Sequence, residues 1–341
     1  MPFWVFENPL FQKHRSPMPH PEIPERLAAI EEELSAHPPP HMKIKKSKRK
    51  ASNDELCLVH TERLIEQIAG TAEKPFTQLD PDTYACSDSY QAARVAAGTL
   101  LESVDRVCRK KIDRVFALVR PPGHHAERDR AMGFCLFNNV ALGAAYALSR
   151  HKKKRVAIFD FDVHHGNGTQ HIFYDRPDVL YLSHHQYPFY PGTGNWSEIG
   201  EGNGKGMTVN CPLPAGCGDG EVLYMFDHLF EPVLRQYGPD ILFLSAGFDA
   251  HERDPLAQLN VTDRGFLQLF LRLEKFARDT ETPLIYTLEG GYDFQALARG
   301  ASAAIGALES KIPLDSERCS TPLCLDLLRQ ARSTFSPFWE L

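Results

Sequence analysis

The stretch Val156-Ala157-Ile158-Phe159-Asp160-Phe161-Asp162-Val163-His164-His165-Gly166-Asn167-Gly168 runs an apolar segment straight into two carboxylates and two imidazoles. Val156 to Phe161 reads as a buried strand, being short, apolar and closed by a glycine-containing turn. On a strand, alternation with period two sends Asp160 and Asp162 to the same side, and His164 follows in the turn beyond. Carboxylate oxygen and imidazole nitrogen at such close quarters are zinc-type ligands. A catalytic zinc takes three protein ligands and keeps a fourth position for water. Two are visible here, so a third has to come from elsewhere. Asp249, in Leu244-Ser245-Ala246-Gly247-Phe248-Asp249-Ala250, follows another apolar run, Ile241 to Leu244, and is the natural candidate.

Outward from this stretch, further runs of strand character lie at Phe3 to Phe6, Leu56 to Val59, Val115 to Val119, Val179 to Leu182, Met207 to Cys211 and Leu284 to Leu288, which makes about eight strands in all. Segments with helical spacing fall between most of them, at Ile23 to Ala36, Ser89 to Lys110, Asn139 to His151, Gly220 to Tyr237, Asp263 to Asp279 and Phe294 to Glu309. Strands alternating with helices predict an α/β fold whose central, mostly parallel sheet is covered on both faces. There is neither an internal repeat nor a long linker, so a single domain over residues 1–341 is the simplest organisation.

The polar clusters fall into place on that scaffold. Arg120-Pro121-Pro122-Gly123-His124-His125, Asp160 to Asn167, Ser183-His184-His185, Gly247-Phe248-Asp249 and Glu289-Gly290-Gly291-Tyr292 each follow the carboxyl end of a predicted strand. In an open α/β sheet that is the edge where ligands bind, so five clusters far apart in sequence are expected to converge on one crevice.

At 341 residues, with 43% hydrophobic and 24% charged, the chain can bury a large core. Its longest uncharged apolar stretch, Val140 to Leu148, falls far short of the ~20 residues of a membrane helix, and the N-terminus lacks a basic segment leading into an apolar one. The expectation is a soluble cytoplasmic or nucleocytoplasmic protein without a membrane partner. The eight cysteines, at 57, 86, 108, 135, 211, 217, 319 and 324, include no Cys-x-x-Cys pair and read as free thiols in a reducing compartment. The net charge of −6 hides one reversal, His41 to Lys50, where six of ten residues are Lys or Arg; without them 32 basic residues face 44 acidic, a balance of −12. Such a body is not expected to bind nucleic acid, and residues 41–50 read as a solvated basic surface loop within the domain.

Taken together, Arg120 to Ala126, Gly133-Phe134-Cys135, Asp160 to Gly168, Tyr190-Pro191-Gly192-Thr193-Gly194, Ala246 to Ala250 and Leu288-Glu289-Gly290-Gly291-Tyr292 resemble the motifs of the zinc-dependent histone deacetylase family, with its arginase/deacetylase fold. They occur in order over about Phe3 to Leu308. Asp-Val-His-His-Gly-Asn-Gly and Leu-Glu-Gly-Gly-Tyr are closer to the class II branch, including its bacterial deacetylase-like amidohydrolases, than to class I.

The resemblance implies one zinc per chain on Asp162, His164 and Asp249, matching the ligand count above. It places His124 and His125 beside the metal, where a side chain titrating near neutrality can take a proton from water and return it to the leaving amine. Each has its own partner in the family, Asp160 for His124 and Asn167 for His125. A carboxylate partner stabilises imidazolium and an amide supplies no charge, so His125 is expected to be the general base and His124 to orient and tune the site. Asp160, with Ser183 and the main-chain carbonyls of Asp162, His164 and His184, matches a monovalent cation site that takes K⁺. Tyr292 matches the donor of a hydrogen bond to the tetrahedral oxyanion, with Gly290 and Gly291 letting the chain come close.

For the substrate, the resemblance makes Phe134 and Tyr190 the aromatic walls around the acyl-lysine methylenes and Gly133 a backbone acceptor for its side-chain N–H; Gly290 joins them in contact. Leu256 takes the gate position, where polyamine-selective members carry glutamate, so a second ammonium finds no counter-charge. Asp88 aligns with a rim residue that holds peptide backbones, and equally reads as the N-cap of the helix behind it. The expected activity is zinc-dependent hydrolysis of N-ε-acyl, chiefly acetyl, lysine amides in peptides or proteins. Deacylation of small acylated amines such as acetylpolyamines, a non-catalytic acyl-lysine scaffold, and a binuclear manganese hydrolase are the alternatives, and oligomerisation is open.

Overall fold

The computed structural model describes residues 2–315 and 321–341. Among the described residues ten strands form: β1 (Phe3–Glu7), β2 (Met42–Lys46), β3 (Thr77–Gln78), β4 (Tyr84–Ala85), β5 (Arg114–Ala117), β6 (Val156–Asp160), β7 (Val179–Gln186), β8 (Thr208–Leu213), β9 (Ile241–Ala246) and β10 (Leu284–Leu288). Eight of them make one sheet in the order β2-β1-β5-β10-β9-β6-β7-β8, and every pairing in it is parallel. The two short strands β3 and β4 pair antiparallel in a separate hairpin.

The helices are α1 (Glu25–Ala36), α2 (Asn53–Leu56), α3 (Glu62–Gly70), α4 (Ser89–Cys108), α5 (Asn139–His151), α6 (Asn167–Ile172), α7 (Asp219–Met225), α8 (Glu231–Tyr237), α9 (Asp263–Thr280), α10 (Phe294–Gly306) and α11 (Pro322–Phe335). A parallel sheet needs cover on both faces. Accordingly β5, β6, β7, β8, β9 and β10 are buried at every position. Local signals set the boundaries: the Asn138 side chain caps the Ala141 N–H at the start of α5, and Lys152 in the left-handed region ends it.

Three expectations are corrected. Leu56 to Val59 is not a strand: α2, started by the reciprocal capping box of Ser52 and Glu55, ends at Leu56, and residues 57–59 turn away from it. The eighth strand comes instead from the basic run, where Met42–Lys46 pairs along β1 as the sheet's edge. Residues 41–50 are therefore not simply a loop. Lysines suit an edge because their charge and hydration discourage pairing with another chain. Much of the charge is also used at home: Lys45 lies over the Trp4 ring at 5.2 Å, and Arg49 pairs with Glu55 and Asp105. The segment predicted as one helix from Gly220 to Tyr237 widens into a π-helical stretch at Phe226–Phe230 before Pro232, whose missing N–H interrupts the ladder. Cys57, Cys86, Cys108, Cys135 and Cys211 are free thiols, and Cys319 lies outside the described residues. No helix among the described residues is long and apolar enough to cross a membrane.

Strand register fixes the site. Asp160 at the end of β6 is level with Ser183 on β7 and Ser245 on β9, and Leu288 at the end of β10 is level with Ala246. The loops that leave β5, β6, β9 and β10 carry four of the polar clusters, and the fifth, Ser183-His184-His185, lies within β7, which runs on to Gln186 rather than ending at Leu182.

Candidate active site

Asp162 and His164 follow β6, and Asp249 follows β9. One potential ligand atom from each lies within 4.8 Å of the others, and all three residues are buried or nearly so. His164 Nδ1 stands 3.2 Å from both Asp162 Oδ1 and Asp249 Oδ2. Backbone donors hold the carboxylates: Gly290 N–H donates to Asp162 Oδ2 at 2.8 Å, and Val163 N–H donates to Asp249 Oδ1 at 2.9 Å. A Cβ on Gly290 would collide with both carboxylates, which accounts for glycine there. Two carboxylates and an imidazole converging in a buried spot suit a zinc ion, whose charge would offset the repulsion between Asp162 and Asp249.

The two histidines of Arg120 to His125 approach from the end of β5, their rings 4.0 Å apart. His124 Nδ1 is 3.1 Å from Asp160 Oδ2, and His125 Nδ1 is 2.8 Å from Asn167 Oδ1. Burial disfavours charge on both. For His124 the carboxylates of Asp160 and Asp162 outweigh burial and raise its pKa to about 10, whereas for His125 burial, reinforced by His124 and His164, pushes it well below its ordinary value. Glu289, raised to about 7 by burial, accepts from the Gly123 and His124 N–H groups and so sets the angle of the pair.

One narrow pocket is lined by Asp82, Pro122, His124, His125, Gly133, Phe134, Asp162, His164, Tyr190, Leu256, Gly290 and Tyr292. Phe134 and Tyr292 meet edge to face at 6.0 Å, and Tyr190 does the same with His125 at 5.2 Å. Gly133 sits at φ +57°, where a Cβ would strike the His125 ring. The Tyr292 hydroxyl is pushed well above its ordinary pKa, chiefly by burial, and so remains a donor.

Asp88 does not reach this pocket. It occupies the N-cap position of α4 without a side-chain cap bond, since it already has helical dihedrals. Asp82, six residues earlier in the β3–β4 turn, lines the mouth instead and accepts from Gly133 N–H at 3.2 Å. Asp254 was also missed: its two oxygens accept from Leu256 N–H at 3.0 Å and Tyr292 N–H at 2.6 Å, tying these two pocket residues together. Arg26 is a third omission. Its guanidinium donates to the carbonyls of Glu289 and Gly291 and lies 5.0 Å from the Tyr292 ring centroid. Asp82 and Asp254 depend on loop-to-loop contacts and Arg26 on the first turn of α1 reaching a distant loop; the Asp254-Pro255 turn and the charges of Glu22 and Arg26 were the available hints.

Residues 20–308 match the histone deacetylase domain. The chain belongs to the histone deacetylase family. It is 39% identical over 316 residues to "Histone deacetylase 5" of Arabidopsis thaliana, covering 87% of this chain and 47% of that protein. To "Histone deacetylase 15" of the same plant it is 39% identical over 300 residues, covering 86% and 54%. A "Probable deacetylase" of Archaeoglobus fulgidus is 37% identical over 293 residues, covering 84% and 80%. This histone deacetylase family chain thus spans about half the length of the two plant relatives. The crystal structure of the HDA15 HD domain superposes with a TM-score of 0.91 at 34% identity, covering 99% of this chain and 97% of that one, so the α/β architecture is the family's. The family is one of hydrolytic deacetylases.

Proposed function

We propose that this chain hydrolyses the amide of N-ε-acyl-lysine, chiefly acetyl-lysine, in peptides or proteins. The observation that carries the reading is a single narrow pocket presenting Asp162, His164, the unlike pair His124 and His125, and the Tyr292 phenol, between the aromatic walls Phe134 and Tyr190. Asp162, His164 and Asp249 would hold zinc, which supplies Lewis-acid polarisation of the amide carbonyl and acidifies the attacking water.

His125 takes the proton of the attacking water on the ring nitrogen not engaged by Asn167 and passes it to the lysine amine as the C–N bond breaks. His124, kept as imidazolium by Asp160, contributes positive charge beside the developing oxyanion, and Tyr292 donates a hydrogen bond to that oxygen. The Gly133 carbonyl accepts the substrate N–H. Leu256 brings no counter-charge to the gate, and the Asp82 carboxylate at the mouth is already engaged by the Gly133 N–H and the Thr83 hydroxyl, which supports peptides over polyamines as substrates. The K⁺ reading is supported by Asp160 and Ser183, which are direct partners across β6 and β7. We place the protein in the cytoplasm or nucleocytoplasm.

A turnover panel on zinc-loaded protein tests the reading, comparing an acetyl-lysine peptide, free acetyl-lysine and acetylspermidine. We expect kcat/KM to favour the peptide over the polyamine by about tenfold or more, the order of one charge-assisted contact. A preference for acetylspermidine would move the protein to the small-amine class.

A further inference from the structure

We propose that Glu127 is a positioning residue that fixes His125 in the tautomer able to act as a base. The word base rests on the hydrolase reading above; the tautomer does not. Asp160 is by itself an acceptor-only partner for His124 when ionised. Asn167 is different, because an amide offers an acceptor at one end and two donors at the other, and either end fits beside an imidazole nitrogen. Something has to decide which end faces His125.

Glu127 lies at that decision point. Asn167 Nδ2 donates to Glu127 Oε1 while Asn167 Oδ1 lies 2.8 Å from His125 Nδ1; the other acceptors of Nδ2, the His125 carbonyl at 3.4 Å and Met132 Sδ at 3.5 Å, are longer and uncharged, so Glu127 is the strongest of the three. A carboxylate only accepts, so the amide has to turn its NH₂ toward Glu127 and its oxygen toward His125. His125 Nδ1 must then carry the hydrogen, which leaves the lone pair on Nε2. A flipped amide would set Asn167 Oδ1 against the Glu127 carboxylate and an N–H against His125 Nδ1, forcing the hydrogen onto Nε2, where no proton could be taken up.

The surroundings keep Glu127 in place. Its N–H donates to the Arg130 carbonyl at 2.9 Å, and its carbonyl lies 2.9 Å from His60 Nδ1. His171, one turn beyond Asn167 on α6, brings Nδ1 to 2.9 Å from the same Oε1. Glu127 is 13% exposed and His171 45% exposed, so the chain of contacts runs from the buried His125 to the surface beside Arg63, Asp129 and Arg130. An amide is a poor proton relay, and orientation is the role that this geometry assigns.

The experiment reverses the polarity of the pair. Three proteins, Glu127→Gln, Asn167→Asp and the double variant, are compared with wild type in the metal-loaded form. ¹⁵N NMR reads the His125 tautomer without substrate, and kcat, KM and the pH profile are read on an acetyl-lysine peptide. We expect the Nδ1–H tautomer in wild type and a mixture in Glu127→Gln, with kcat down about tenfold and KM within about twofold. Asn167→Asp sets two carboxylates together and also loses activity. The double variant restores an acceptor facing His125 and a donor behind it, so the Nδ1–H tautomer returns and kcat recovers to within about threefold of wild type. An unchanged tautomer in Glu127→Gln, or a double variant no better than either single one, would overturn the proposal. A wild type inert on every acyl-lysine probe would overturn the hydrolase reading alone, and the NMR comparison would still decide the tautomer.

Discussion

His124 is hydrogen-bonded to the Asp160 carboxylate and His125 to the Asn167 amide, so similar burial leaves one imidazole charged and the other neutral. A single carboxylate-for-amide difference thus sets adjacent residues in opposite charge states. Tyr292 contributes one hydroxyl to the same pocket, and Tyr292→Phe removes it while keeping the ring against Phe134. We expect kcat to fall by ~10²–10³, as for loss of one oxyanion donor, with folding and metal content retained; steady-state kinetics beside metal analysis checks this, and near-wild-type kcat would assign the oxyanion to another group. At this scale the sequence was most readable where chemistry is local. Asp162 and His164 share one strand end, and Asp160 and Asn167 sit in the same stretch. Asp82 was unreadable because nothing in the order Asp82-Thr83-Tyr84 to Asp88 says which aspartate the β3–β4 hairpin folds toward the mouth.

Among the elements, parallel central strands announced themselves as apolar runs because both faces are buried. The edge did not: β2 alternates Met42 and Ile44 with lysines, and its strand character shows only once β1 lies beside it. The segment before α1 carries a device equally hidden in one dimension. Glu22 is fully buried, with Arg120 donating to both of its oxygens and Arg26 to one, and Arg120 also donates to the carbonyls of Phe11 and His14. Burial alone would raise the Glu22 carboxyl, but Arg120 outweighs it and holds it down to about 2. Glu22→Ala would strand two buried guanidinium groups, and a loss of ~3–5 kcal/mol is expected in urea unfolding. Since Arg26 also grips the carbonyls flanking Gly290, kcat should fall with it. A loss below about 1 kcal/mol would mean the arginines find other partners.

For the whole molecule, one parallel sheet brings the carboxyl ends of β5, β10, β9, β6 and β7 together at its centre, which is why clusters more than a hundred residues apart could be assigned to one crevice before any contact was known. The same dense interior gives the fold a pH limit. His14, His60, His184 and His185 are held neutral by burial, down to about 3, 4, 4 and 3. Each binds a proton on unfolding at any pH between that value and 6.5, so the stability it contributes is present above 6.5 and is lost as pH falls. Glu289 and Asp254, raised to about 7 by burial, release protons on unfolding and oppose the trend; His125 and His165, also pushed down by burial, add to it, and His124 and His164, raised to about 10, are protonated in both states below 6.5, so the six lowered histidines outnumber these two carboxyls. Urea midpoints should therefore fall from pH 7 to pH 5, by ~1.4 kcal/mol per pH unit for each net proton; a flat profile would show that these histidines are charged in the fold.

The central claim, that Asp162, His164 and Asp249 hold the zinc on which turnover depends, is tested most directly by removing and restoring the metal. Treatment with a strong chelator should abolish hydrolysis of an acetyl-lysine peptide, one equivalent of zinc should restore it, and Asp249→Ala should bind zinc far more weakly. Turnover that persists unchanged in metal-free protein would contradict the account.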